Sequence, residues 1–322
     1  MTAPQYFPRT GDYPTFDEDT EWRPLVDGEA YFAELDAIFG RAQAGDTVLI
    51  AGLEVDPALD LHGRHSGDAG YAPLGNQLAH MAGRGVDVRL LIAGRVLASS
   101  IPWSGLGPFR ENAARAGQLR TLRVDGTDAP PLASRVLLDF SGALLGSNHQ
   151  KAVTTFVAGE LTSFVAGIDL VDDRCDGPPH DRFRLDGERW GWHDMAVRLR
   201  GPGARRVWDI FRQRWLEAMT LPAKRYFRTP FDRRRLNPRE PLPAPAPAPD
   251  ARPVPSPGVE VRVLRSTYRR KLESRVPFRG GRWRTMPDTG RQEVFGTLVT
   301  AISAAQRYIY LEDQYLEEAA GG

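Results

Sequence analysis

The chain has 322 residues, with 42 Lys and Arg against 41 Asp and Glu and a formal charge of +1. A balance so near zero makes no overall case for nucleic acid or an anionic membrane. The hydrophobic share of 41% and charged share of 26% are those of a soluble globular protein, long enough for one large or two ordinary domains. Cys175 is the one cysteine, which excludes an internal disulfide and a cysteine-based zinc cage. Residues 1–24 are polar, with no apolar signal core. No later run is long enough to span a bilayer. This predicts a cytoplasmic or peripheral soluble protein, unless a leader has been removed.

Phe32, Leu35, Phe39 and Ala42 recur at helical spacing, so residues 29–43 read as an amphipathic helix. A buried strand follows over 47–55, a helix over 74–82 and a strand over 86–93. Short strands are predicted at 119–124 and 136–140. Strands at 152–157 and 162–168 flank a turn at Gly159. A strand at 195–199 and a helix at 203–219 follow. Strands alternating with helices predict an α/β fold.

Residues 237–258 break the pattern. Alternating Pro and Ala over Pro241-Leu242-Pro243-Ala244-Pro245 favours polyproline II, which builds no core of its own, so this reads as a surface linker. Beyond it, 259–264 reads as a strand, 292–306 as a helix and 308–311 as a strand. Phe295, Leu298, Ala305 and Gln306 repeat Phe32, Leu35, Ala42 and Gln43 at one constant offset, the mark of a duplicated α/β unit. Most of the positive surplus lies between Lys224 and Arg284, where Arg stands among aromatics. That composition suits phosphates, anionic headgroups or nucleic acid, and equally a solvated loop.

His149-Gln150-Lys151 carries the most chemistry. Side chains two apart on a strand share a face. A histidine can attack phosphorus or shuttle a proton. A lysine supplies positive charge where negative charge grows. Neither needs a metal. Around this pair stand Phe164-Val165-Ala166-Gly167-Ile168-Asp169-Leu170, Trp192-His193-Asp194-Met195 and Tyr308-Ile309-Tyr310-Leu311-Glu312-Asp313-Gln314-Tyr315. Together, and in this order, they resemble the phospholipase D superfamily with its HxKxxxxD signature.

The resemblance implies a phospholipase D-like α/β sandwich, a mixed sheet flanked by helices. It divides the chain into a tail (1–24), a first lobe (25–222), a basic and Pro/Ala-rich linker (223–258) and the start of a truncated second lobe (259–322). It implies that His149 is nucleophile or general acid/base, Lys151 the phosphate-binding lysine, and Asp194 the carboxylate that orients the catalytic histidine. Asp169, Glu312 and Gln314 are carried over as substrate-binding residues. No cofactor and no metal is assigned. The partners implied are a phospholipid or another phosphodiester, peripheral contact with a membrane, nucleic acid less readily, and a second catalytic lobe that this chain lacks.

One letter departs from the signature. Phe156 stands where the aspartate of HxKxxxxD belongs, which puts the geometry of the strand in question before the nucleophile. The function read here is phosphatidyl hydrolysis or transfer through a phosphohistidine. A nuclease-like phosphodiesterase and a non-catalytic lobe that binds phosphate or headgroups stay open beside it. His180-Asp181 and His193-Asp194, with Asp172 and Asp173, could suggest a metal, but such pairs in loops are more often surface residues or caps, and no HExxH-type helical spacing appears. His62, His65 and His80 read as solvent-facing or locally hydrogen-bonded.

Overall fold

A computed structural model of the chain describes Phe7 and residues 16–94, 107–140, 148–178, 180, 183–185, 188–190, 192–220, 237–250, 254, 258–267 and 291–312. Residues 16–261 form one compact unit. Residues 262–322, with 1–15, form another.

In the first unit, β1 (Asp17–Val26) leads into α1 (Asp27–Arg41). Then come β2 (Thr47–Gly52), α2 (Leu74–Gly83), β3 (Asp87–Ala93), α3 (Gly107–Thr121), β4 (Val136–Asp139), β5 (Lys151–Val157) and β6 (Glu160–Ala166). The short pair β7 (Phe183–Leu185) and β8 (Glu188–Trp190) precedes β9 (Met195–Arg200), α4 (Pro202–Thr220) and β10 (Val259–Val261). Among the described residues, eight strands make one sheet in the order β10-β1-β9-β6-β5-β2-β3-β4. β2, β3 and β4 run parallel, and the remaining pairs are antiparallel. This is the mixed sheet flanked by helices that the sequence predicts.

β2 and β3 are apolar nearly throughout because helices cover both faces of the sheet. Tyr31, Phe32, Leu35, Ile38 and Phe39 of α1 are buried in a core shared with Val48 and Ile50 of β2, Val153 of β5, Phe164 of β6 and Ala196 of β9. Alternation sends the neighbouring residues to the other face. There the Ser163 hydroxyl lies 2.9 Å from the Ala204 carbonyl of α4, and α4 buries Val207, Trp208, Phe211 and Trp215. Ala158 and Gly159 join β5 to β6 with φ of 53° and 77°, the left-handed pair of a two-residue hairpin.

Four segments differ from the sequence reading. Residues 17–24, read as tail, belong to β1, which pairs with β9 along its length. Residues 119–124, read as a strand, begin inside α3. Ala116 and Leu119 are buried there, with Ala113 packed against the same core, at the three-residue spacing of a helix rather than the two of a strand. Residues 259–261 pair with β1 at the edge of the first unit's sheet, so a second unit starts at 262 rather than 259. Residues 308–311 form no strand and are exposed.

The proline-rich segment is docked rather than free. The indoles of Trp215 and Trp208 donate to the carbonyls of Leu242 and Ala246, each at 3.0 Å, and Arg212 donates to that of Pro245. A polyproline II backbone makes no hydrogen bonds within itself, so its carbonyls are available to donors on α4. In the second unit, β11 (Ser266–Thr267) pairs with β12 (Arg291–Gln292), followed by α5 (Glu293–Ala304). Most of the basic stretch 224–284 lies outside the described residues. Among those described, no helix is long and apolar enough to cross a membrane.

Candidate active site

The candidate residues collect at one end of the sheet, where β2 and β3 finish, β5 begins and β6 ends. Ligands favour this end, outside the carboxyl ends of parallel strands. Lys151 is the first residue of β5, on the core face with Val153. His149 precedes it on the same side, and its ring nitrogen Nε2 lies 3.5 Å from Lys151 Nζ. The His149 side chain reaches solvent. Partial desolvation, then the adjacent ammonium, lowers its pKa from the usual histidine value, against weaker opposition from Asp169 and Glu54. A neutral imidazole is therefore favoured near pH 7.

Lys151 is held from beneath. Its ammonium is 3.1 Å from Asp169 Oδ2, with side-chain exposures of 7% and 6%. Asp169 Oδ1 accepts from the Glu54 amide at 2.9 Å. Burial pushes the Asp169 carboxyl up, while Lys151 and the Glu54 amide pull it back. The structure thus sets Asp169, expected as a substrate contact, as the counter-ion of Lys151. Tyr31 lies beneath in the core, its phenol raised by burial and then by the Asp169 charge.

Asp194 opens the approach to β9. Its Oδ1 accepts from the Met195 amide at 2.7 Å, and no hydrogen bond joins it to His149. The register runs Lys151 to Ala166 and Ala166 to Ala196. Continued by two residues, it puts His149 and Asp194 two strand spacings apart, about 10 Å between backbones. The Asp194 carboxylate lies against Gly167, where an added Cβ would be 2.1 Å from its Oδ1. The bare backbone at Gly167 is what admits that carboxylate.

Glu312 belongs to the second unit. It is exposed and accepts from the Tyr310 hydroxyl at 2.8 Å. Gln314 lies outside the described residues. Phe156, half-buried, pairs with Thr47 and Leu161. It faces away from Lys151 and lies about 17 Å along the strand from it.

Sequence reasoning missed the groups that hold the loop of His149. Asn148 donates to Asp139 Oδ2 at 2.7 Å, and Arg214 of α4 donates to the same oxygen at 2.6 Å. Arg214 also donates to Gln150 Oε1 at 2.5 Å. Both neighbours of His149 are thus tied to one buried Asp139–Arg214 pair. The available signal was a charged residue on the apolar stripe of Phe211 and Trp215. Arg115, bridging Glu54 at 2.7 Å and Asp56 at 3.1 Å, and Asn112, donating to the carbonyls of Leu53 and Ala93, fix the loop after β2. Neither carries a local signal.

A nucleophile-capable histidine beside an anchored ammonium is a combination that can act on a phosphoryl group. A family model described as Phospholipase D matches residues 41–319. Phospholipase D beta 1 of Arabidopsis thaliana is 33% identical over 110 residues, 27% of this chain and 10% of its own length. Phospholipase D delta of the same plant is 29% identical over 141 residues, 38% and 15% of the two. Phospholipase D beta 2, also from that plant, is 28% identical over 185 residues, 48% and 20%. The chain spans no more than about a fifth of these relatives. A solved yeast tyrosyl-DNA phosphodiesterase mutant overlaps 56% of this chain and 46% of its own at a TM-score of 0.30 and 11% identity, a likeness too distant to carry weight. The family match takes in His149, Lys151, Asp169, Asp194 and Glu312 alike, and by it this chain belongs to the phospholipase D family.

Proposed function

We propose that this chain supplies one half of a phosphodiesterase site for phosphatidyl hydrolysis or transfer. His149 attacks phosphorus, the alcohol departs, and a phosphohistidine forms. Water or a second alcohol then attacks the same phosphorus and releases His149. The Lys151 ammonium, fixed by Asp169, holds phosphoryl oxygens and offsets the charge that grows on them. Asp194 serves as the orienting carboxylate, which requires its side chain to leave the Met195 amide. By the family resemblance alone, Glu312 and Gln314 are assigned to substrate binding. The plant relatives, named as phospholipases D, favour a phosphatidyl substrate over a nucleic acid.

The observation that carries this reading is the low-pKa His149 set 3.5 Å from an ammonium that is itself anchored by a buried carboxylate. Two displacements need a second proton-transfer group, and HxK occurs once in this sequence. The 322-residue chain by itself is therefore expected to turn over phosphatidylcholine and a chromogenic phosphodiester slowly or not at all, with or without chelator. In a chain that carries both motifs, His149→Ala should remove activity by several orders of magnitude. It should also abolish the acid-labile phosphoenzyme seen on quenching. Full turnover in the His149→Ala chain would support the non-catalytic reading. Cleavage of DNA diesters with no action on phosphatidylcholine would support the nuclease-like one.

A further inference from the structure

Apart from the His149–Lys151 pair, Asp27, His180 and His193 bring one ligand atom each within 4.8 Å of one another. Asp27 follows β1 directly and starts α1, and its side chain is 2% exposed. Among the described residues its ion-pair partners are the two histidines alone, with His193 Nδ1 at 2.9 Å from Oδ1 and His180 Nε2 at 3.9 Å from Oδ2. The two rings stand nearly perpendicular, with centroids 5.4 Å apart.

Asp176 makes this more than a surface cluster. Buried to 1% exposure, its Oδ2 accepts from His180 Nδ1 at 2.8 Å and from the Trp192 amide at 2.8 Å. Its Oδ1 is buried without a partner. With the Nδ1 proton committed to Asp176, His180 presents the lone pair of Nε2 to Asp27. Two acceptors then face each other across 3.9 Å, too long for a hydrogen bond even if a second proton were added. Bonds of about 2.0–2.1 Å to one tetrahedral ion put two donor atoms about 3.3 Å apart. The observed 2.9 Å and 3.9 Å lie on either side of that. A carboxylate behind a histidine, fixing its tautomer and raising its basicity, is the usual support of a metal-bound imidazole. Nitrogen donors with one carboxylate select zinc-like ions over calcium or magnesium.

We propose that Asp27, His180 and His193 bind one divalent first-row metal ion of the zinc class, with Asp176 as the outer carboxylate. The ion would neutralise two buried carboxylates and clamp three segments that already meet through the backbone. Asp27 N donates to the Asp194 carbonyl and Glu29 N to that of Asp176, each at 2.8 Å. Gly28 packs so closely on the Arg174 carbonyl that no Cβ fits. Because His193 adjoins Asp194, the clamp would also fix the start of β9. The site is structural and takes no part in the displacement at His149. It stands whether or not the proposed function does.

The test is zinc binding to the full chain, stripped with chelator and titrated by calorimetry, with cobalt as a coloured substitute. One equivalent is expected, with a rise in melting temperature. His180→Gln and His193→Gln should each abolish it, along with the cobalt absorption. Asp176→Asn should keep the stoichiometry and weaken affinity about 10- to 100-fold. Replacing the surface pair His62 and His65 by Gln should change nothing. Should a ligand variant fail to fold, zinc-induced shifts of the His180 and His193 ring nitrogens in the unaltered chain decide the matter. No stoichiometric uptake, uptake that survives both histidine changes, or uptake of calcium in place of zinc would overturn the proposal.

Discussion

Separating Lys151 from Asp169 should damage the fold, and removing the lysine should make the damage depend on pH. At 3.1 Å and an effective dielectric of ~20, their attraction is about 5 kcal/mol. Removing one partner from so buried a pair costs about 3–5 kcal/mol. For a unit of this size that lowers the melting temperature by about 6–20 °C, at 2–4 °C per kcal/mol. In Lys151→Met, Asp169 loses the ammonium that restrains its carboxyl and keeps the burial that raises it. Its folded pKa climbs further above the unfolded value of ~3.9. The folded state then binds more protons than the unfolded, and the variant loses stability as pH rises through that raised pKa. In Asp169→Asn a buried ammonium stands without its counter-ion. Lys151→Met with Asp169→Leu leaves neither charge and should recover most of the loss. Urea melts at pH 5, 7 and 9, with the double-mutant cycle, measure all of this. His149 reports independently by NMR titration. Lys151 lowers its pKa and Asp169 raises it, so the two single variants should move it up and down respectively. Single variants that cost under about 1 kcal/mol, or a Lys151→Met variant whose stability does not fall as pH rises, would refute the buried-pair reasoning.

Gly167→Ala should push the Asp194 carboxylate off the strand. Stability should fall by about 1–3 kcal/mol, while turnover in a chain with both motifs should fall about 10²-fold, the cost of roughly an ångström of misplacement. Steady-state kinetics beside thermal melts would show whether rate suffers more than fold. Phe156→Asp puts a carboxylate between Thr47 and Leu161, far from Lys151. It should cost about 1–3 kcal/mol and leave kcat unchanged, so a rate loss without a stability loss would contradict the placement of that residue.

The fold was legible where burial is one-sided or complete. α1, α2, α4 and the apolar runs of β2, β3, β5 and β6 follow from periodicity alone, to within a few residues. β1 was not legible because it is held by backbone pairing with β9 and β10, while its side chains are largely polar and Trp22 is half exposed. α3 hid because few apolar residues face the core, only Ala113, Ala116 and Leu119 within its described turns. In the site, His149 and Lys151 were legible from two-residue parity on one strand. Their supports were not: Asp139 and Arg214 are 75 residues apart, and Asp27 and His193 are 166 apart. Contacts of that range leave no local period. The clue they do leave is a charge on an apolar stripe, as at Arg214, or an acidic residue at a position that the fold then buries, as at Asp27.

The departure at Phe156 gains a physical meaning from β5. Its two faces do different work. Odd positions carry Lys151 and Val153 toward α1 and the core. Even positions carry Thr154 and Phe156 toward α4, where the Thr154 hydroxyl lies 3.0 Å from that of Ser163. A carboxylate at 156 would be on the wrong face, and about 17 Å too far, to steady the Lys151 ammonium. Asp169 performs that task from the end of β6, while Asn148 and Gln150 are pinned from the α4 side by Asp139 and Arg214. The histidine and lysine are therefore set by one support from each face of the sheet, and neither support passes through position 156. The third letter of the signature belongs to the far end of the strand, where it bears on how β5 meets Thr47 of β2 and Leu161 of β6, and its loss leaves the geometry at His149 and Lys151 in place.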